Sequence, residues 1–189
     1  MSTKQLSPGP LGLAAFAMTT AALSLFTLGL LPAASASVVV PLAIAYGGIL
    51  QVIVGWWEGK TNNTFGFVAF SSYGAFWLYV AFLKIFITLG IISVDVPTQG
   101  AILLLWGFFT FYMWIAALKL NLTVNLVFLL LFLAFVVLGL GDMTGIRTVQ
   151  IAGGAIALLT AAAAWYGSLA QVINDTFGKT VLPLGKPLK

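Results

Sequence analysis

The chain of 189 residues contains no cysteine and no histidine. Disulfides, thiolate nucleophiles and imidazole ligands or proton shuttles are therefore excluded in any compartment. Charge is almost as scarce: charged residues make up 6% of the chain, and only Glu58, Asp95, Asp142 and Asp175 are acidic. Each of these carboxylates falls near the end of an expected helix, so none stands at mid-membrane to carry a proton. Any proton coupling has to use Glu58 or travel on a protonated substrate. The sequence also lacks a Walker segment, a zincin helix and a nucleophile elbow. Intramembrane hydrolysis and ATP-driven transport are left without candidate residues, and no catalytic residue, metal or cofactor is expected.

Apolar residues are what the chain has in quantity. They account for 61% of it, and the mean hydropathy is +1.12, values typical of a multi-span membrane protein and far from a soluble domain. Apolar runs at about 11–31, 38–57, 65–89, 101–118, 122–140 and 149–173 predict an all-α bundle of six membrane helices with short connections. The expected organisation is a polar segment 1–10, a membrane domain 11–175 and a tail 176–189. Ala34-Ser35-Ala36 has the form of a signal-peptidase site, but the first run exceeds the ~7–15 residues of a signal core and only Lys4 precedes it. Lys4, Lys60, Lys119, Lys179, Lys186 and Lys189 fall in loops on one side and Arg147 alone on the other. The positive-inside rule then puts both termini in the cytoplasm of a cell with the chain in its plasma membrane. The net charge of +4 follows from this bias and gives no nucleic-acid footprint.

The third run opens as Asn63-Thr-Phe-Gly-Phe-Val-Ala-Phe-Ser-Ser-Tyr-Gly-Ala-Phe-Trp77, with hydroxyls and rings where lipid favours leucine. At ~100° per residue Gly66, Phe70, Tyr73 and Trp77 share one stripe, which reads as the lining of a path. Lys84 continues it, either snorkelling to the interface or drawing anions into an outer vestibule. In the second run Gly47, Gln51, Gly55 and Glu58 share a face. Gln51 either bonds a neighbouring helix or lines a wet path. Thr19 and Thr20 either bond back to their own helix or join that path. The sixth run, with Gly153, Ala157 and Ala161 spaced by four, reads as a packing helix. A weak repeat matches Gly12 to Gly66, Ala15 to Ala69 and Phe16 to Phe70. A structural repeat of that kind would set the first, third and fifth helices around one axis.

These residues also carry a resemblance. Ser7-Pro8-Gly9-Pro10-Leu11-Gly12-Leu13, Tyr46-Gly47-Gly48, Asn63-Thr64-Phe65-Gly66-Phe67, the segment Phe70 to Trp77, and Phe177-Gly178-Lys179-Thr180-Val181-Leu182-Pro183 resemble, in order, the motifs of the acetate uptake transporter family. The resemblance implies a homohexamer in membrane lipid, each protomer carrying acetate and possibly succinate through its own path, by a channel-like or a proton-coupled route. It also implies a constriction at Phe16, Tyr73 and Leu131. Ser7 stands where the family signature has asparagine, and one hydroxyl replaces a carboxamide there. Substrate water would be replaced by Thr19, Ser71, Ser72 and the Tyr73 hydroxyl, with Thr20, Gln51, Trp77 and Lys84 also along the path. The competing class is a non-transporting membrane scaffold or sensor, in which polar residues only join helices.

Overall fold

The computed structural model describes residues 6–188, so Lys4 and Lys189 lie outside the described residues. Six helices are long and apolar enough to cross a membrane: α1 (Gly9–Thr27), α2 (Ala33–Lys60), α3 (Thr64–Thr88), α4 (Val96–Ala117), α5 (Leu122–Thr144) and α6 (Arg147–Phe177). No strand occurs among the described residues.

The helix starts are set by short polar segments that satisfy first-turn N–H groups. The side chains of Asn63, Asp95 and Asn121 accept from the backbone N–H of Gly66, Thr98 and Val124 at 3.1, 2.6 and 3.0 Å. In α1 the Pro8 carbonyl takes that place, accepting from Leu11 and Gly12, with Pro10 in the first turn. Because caps count as well as apolar residues, α4 begins at Val96, ahead of its apolar run. α1 ends at Thr27, short of the expected Leu31, because the chain turns through Gly29 at φ +74°. α2 is not uniform: after a 3₁₀ opening it winds as a π-helix over Ala43–Leu50 and returns to α at Gln51. Segments of that kind often mark functional positions.

Successive helices run in opposite directions, so α1, α3 and α5 begin on one face of the bundle, termed the lower face, and α2, α4 and α6 end there. α4 packs on α5, α5 on α6, and α6 on α1, while α2 packs on α3 and α1; α3 meets α4 only narrowly. α3 and α5 have no close backbone approach among the described residues. They face each other across internal space and are bridged by rings such as Phe65–Phe128 and Phe76–Phe135, with centroids 4.9 and 5.2 Å apart. α6 wedges between α1 and α5 on small residues: Ala161 and Ala164 are fully buried, Gly153 receives Leu138, and the Ser168 hydroxyl donates to the Pro10 carbonyl at 2.7 Å. The chain after Gly178 folds back over the lower face. There the Leu184 carbonyl accepts from both the N–H and the hydroxyl of Thr123, at 3.0 and 2.9 Å.

Small-residue crossings let these backbones touch, as in other membrane bundles. A Cβ added at Gly100 of α4 would lie 2.6 Å from the Gly139 carbonyl of α5, a backbone atom that cannot swing aside. A Gly100→Val protein is therefore expected to lose about 1–3 kcal/mol of stability through overpacking, read as a lower thermal midpoint in detergent.

Candidate functional site

Two internal cavities follow the faces of α1, α3 and α5. The lower one, about 240 Å³, is lined by Ser7, Gly9 and Leu13 of the first segment and by Gln51, Glu58 and Asn63 around the α2–α3 turn. Gly66, Ala69, Phe70, Tyr73, Asn121, Phe128 and Gln171 complete the wall. The upper one, about 570 Å³, includes Thr20, Trp77, Lys84, Phe135, Asp142, Arg147 and Gln150. Phe16 and Leu131 border both cavities, and Tyr73 borders the lower. All three are buried, at 5%, 5% and 3% exposure. They stand seven, nine and nine residues past the first residues of α1, α3 and α5, so one layer forms roughly 10–14 Å above the helix starts.

The layer is fixed by aromatic packing and one buried hydrogen bond. The Tyr73 ring lies 5.9 Å from Phe16, 6.0 Å from Phe128 and 5.4 Å from Phe109, between centroids. Its oxygen is 3.0 Å from Thr110 Oγ1 on α4, and that threonine hydroxyl donates to the Trp106 carbonyl at 2.7 Å. Thr110 has one proton, already given to Trp106, so the Tyr73 hydroxyl is the donor in the pair. Tyr73 therefore turns ring, not hydroxyl, toward the cavity. That corrects the expectation that its O–H replaces substrate water.

The other candidates divide clearly. Gln51 is 1% exposed, lines the lower cavity, and neither Nε2 nor Oε1 has a hydrogen-bond partner in the protein. Thr20 and Trp77 line the upper cavity with Oγ1 and Nε1 likewise unpartnered. Lys84 is exposed and lines the upper cavity. Thr19, Ser71 and Ser72 border neither cavity. The Thr19 hydroxyl donates to the Ala15 carbonyl at 3.0 Å, and Ser71 fills the space that a side chain at Gly55 would need. Of the signature residues, Ser7 lines the lower cavity, Pro8 and Pro10 supply the helix start, and Gly12 makes room for the Phe70 ring.

Four polar residues at the lower cavity carry no assignment from sequence as path groups: Glu58, Asn63, Asn121 and Gln171. Glu58, 4% exposed, accepts from Asn63 Nδ2 at 2.7 Å. A Cβ placed on Gly9 would be 3.2 Å from Glu58 Oε1, and one on Gly66 2.8 Å from its carboxyl carbon. A carboxylate thus sits where the starts of α1 and α3 converge, the position favoured for an anion by the helix dipoles. Its heptad relation to Gln51 pointed to that shared face; the α6 partner Gln171 had no such signal.

A family model described as GPR1/FUN34/yaaH family matches residues 1–185. This chain belongs to the GPR1/FUN34/yaaH family. Within it the chain is 38% identical to the succinate-acetate/proton symporter SatP of Escherichia coli K12, over 98% of both chains. It is 36% identical to acetate permease A of Emericella nidulans, over 96% of this chain and 66% of that one. The solved structure of the bacterial acetate channel SatP superposes with a TM-score of 0.93 at 38% identity, covering 96% of this chain and 100% of that one. Like that family member, this chain is a multi-pass membrane protein.

Removing the Thr110 hydroxyl would leave the buried Tyr73 O–H unpaired. Thr110→Val is expected to cost about 1–3 kcal/mol, and adding Tyr73→Phe should recover most of it because no orphan donor then remains. Thermal unfolding of the single and double variants in detergent checks this.

Proposed function

We propose that the chain conducts small carboxylates, acetate and succinate among them, across the cell membrane through the two cavities of each protomer and the neck at Phe16, Tyr73 and Leu131. The observation that carries the reading is Gln51: a buried, unpartnered carboxamide beside a narrow apolar layer. Such a group is costly unless something passing through the space completes its hydrogen bonds. Acetate presents a carboxylate and a methyl group. The Gln51 amide can meet the first, and Leu13, Val127 and Phe128 the second.

The lower face is taken as cytoplasmic, since Lys60 closes α2 there and Lys119, Lys179 and Lys186 follow helices that end there, while Arg147 opens α6 on the other face. Anions reach the lower cavity past the starts of α1, α3 and α5, whose positive dipole ends face them. They desolvate at Gln51 and pass a neck whose walls reward no large hydration shell. A weak sequence of sites suits flux better than one tight site. Catalysis on the substrate plays no part. Protomers are taken to assemble as a hexamer, with the outward apolar residues of α4, such as Leu105 and Phe108, against neighbours or lipid.

Glu58 favours a proton-coupled version of the same function. Two carboxylates at close quarters in a low dielectric cannot both stay ionised cheaply. Passage of a substrate anion beside Glu58 is then linked to a proton on one of the two groups. The symporter name of the Escherichia coli relative agrees with this version.

Purified protein in liposomes should admit acetate. Gln51→Leu is expected to lower that flux roughly tenfold, the loss of one hydrogen bond to a charged group. With an imposed pH gradient, parent protein should accumulate acetate and Glu58→Gln should only equilibrate it. Equal accumulation by both would remove Glu58 from coupling, and absence of any acetate flux in the parent would remove the function itself.

A further inference from the structure

We propose, resting on the proton-coupled version of the function, that the space above Gly9 holds an ordered water bound by Glu58, Gln171 and Ser7, and that this water is the proton's way out from Glu58 to the cytoplasm.

Three side-chain oxygens converge where Gly9 brings no side chain of its own. A Cβ built on Gly9 would stand 3.2 Å from Glu58 Oε1, 3.8 Å from Ser7 Oγ and 3.9 Å from Gln171 Oε1. The three residues come from separate parts of the chain: the end of α2, the segment before α1 and the last turns of α6. All of them, with Gly9, line the lower cavity, which is room enough for a water. Glu58 is 4% exposed, and among the described residues its carboxyl receives one hydrogen bond, from Asn63 to Oε2 at 2.7 Å. Oε1 is left facing the space, and a buried carboxylate oxygen needs a donor.

The surroundings decide what that donor is. Gln171 Nε2 donates to the Gly167 carbonyl at 3.0 Å. A carbonyl only accepts, so the carboxamide is held with Oε1 toward the space. Two acceptors then face one another, and something that donates twice has to stand between them. Lys60, Lys119, Asp175, Lys179 and Lys186, the other ionisable groups along this rim, are exposed and do not line the cavity. A metal cation suits the place poorly, because α1 and α3 begin there and turn the positive ends of their dipoles to it. A water meets every demand: it donates to Glu58 Oε1 and to Gln171 Oε1 and accepts from the Ser7 hydroxyl, three bonds in all, the usual number for a buried water.

The same three bonds make an exit. When Glu58 is protonated, its O–H donates to the water, and the water donates to Gln171 and to Ser7 Oγ. The proton then leaves by three concerted hops: from Glu58 to the water, from the water to Ser7 Oγ, and from Ser7 to solvent, which its exposed side chain meets. Glu58 is left as a carboxylate, the water and the serine are restored, and the solvent holds the proton. Gln171 keeps its bond to the water throughout, so it is a positioning residue. Ser7 can take part because a hydroxyl both accepts and donates through one atom.

The test uses the full chain. A high-resolution map of the parent protein should show a water within hydrogen-bond distance of Glu58 Oε1, Gln171 Oε1 and Ser7 Oγ, and a map of Gly9→Ala should show none. In liposomes the readout is the initial rate of acetate uptake driven by a pH gradient, divided by the same protein's acetate exchange at equal pH. Gly9→Ala is expected to lower that ratio roughly five- to tenfold, the effect of one lost hydrogen bond. Gly9→Ser, although larger, should keep most of it by placing a hydroxyl among the three oxygens. Ser7→Ala changes the segment before α1, should lower the ratio as Gly9→Ala does, and reports independently if the Gly9 variants fold poorly. Driven uptake by both alanine variants should also be slowed more by D2O than the parent's, which a merely loosened fold would not produce. If Glu58→Gln loses driven uptake while Gly9→Ala and Ser7→Ala keep the parent ratio, the water exit is wrong and the coupling stands. Equal losses in Gly9→Ala and Gly9→Ser overturn the exit as well. A parent ratio in Glu58→Gln overturns the coupling itself.

Discussion

A polar atom buried in an apolar bundle needs a partner, and this protein withholds one at Gln51, Thr20 and Trp77. Other buried or half-buried hydroxyls meet the requirement: Thr19, Ser24, Thr27 and Thr160 each donate to a carbonyl one turn back. Gln51, Thr20 and Trp77, three of the five residues left unpartnered, border the cavities on either side of one apolar layer. Trp114 and Asn125 also hold an unpartnered donor, away from both cavities, and nothing in the structure explains them. A solute that supplies hydrogen bonds and then leaves accounts for the first three, which is why a route through the protomer fits them better than a scaffold does.

The layer shared by the two cavities owes its position to an interaction outside them. α3 and α4 barely touch along their backbones, yet Thr110 of α4 holds the Tyr73 hydroxyl, with Phe109 and Trp106 packed against the ring. The aperture is thus referenced to α4, itself locked to α5 through the Gly100–Gly139 crossing. Tyr73 is a buried ring whose polar tip is tied back to Thr110; in the route proposed, the barrier at this layer is one of size and dehydration.

Composition and hydropathy made the six helices legible, because a long apolar run has few other fates. The stripe from Gly66 to Trp77 was legible for the same reason: helical period assigns residues to faces, and both cavities follow that face of α3. Face assignment does not say which polar groups are already satisfied. Thr19 and Ser71 were for that reason grouped with the path, though Thr19 bonds to its own helix and Ser71 packs at Gly55. The Tyr73–Thr110 bond joins residues 37 apart, with no periodicity to announce it. The position of Glu58 at the starts of α1 and α3 depends likewise on how the α2–α3 turn folds back against the first segment. The π-helical stretch over Ala43–Leu50, which sets the register of Gln51, has no pattern in the sequence that would distinguish it from α.

The central claim is that solute crosses at the layer shared by both cavities. Phe16→Trp enlarges a residue bordering each of them without adding charge. Acetate permeability of liposomes carrying this variant, measured by stopped-flow light scattering against the parent, is the direct test. The account predicts near-complete loss of permeability in a protein that still folds; permeability equal to the parent's would place the route elsewhere and contradict it.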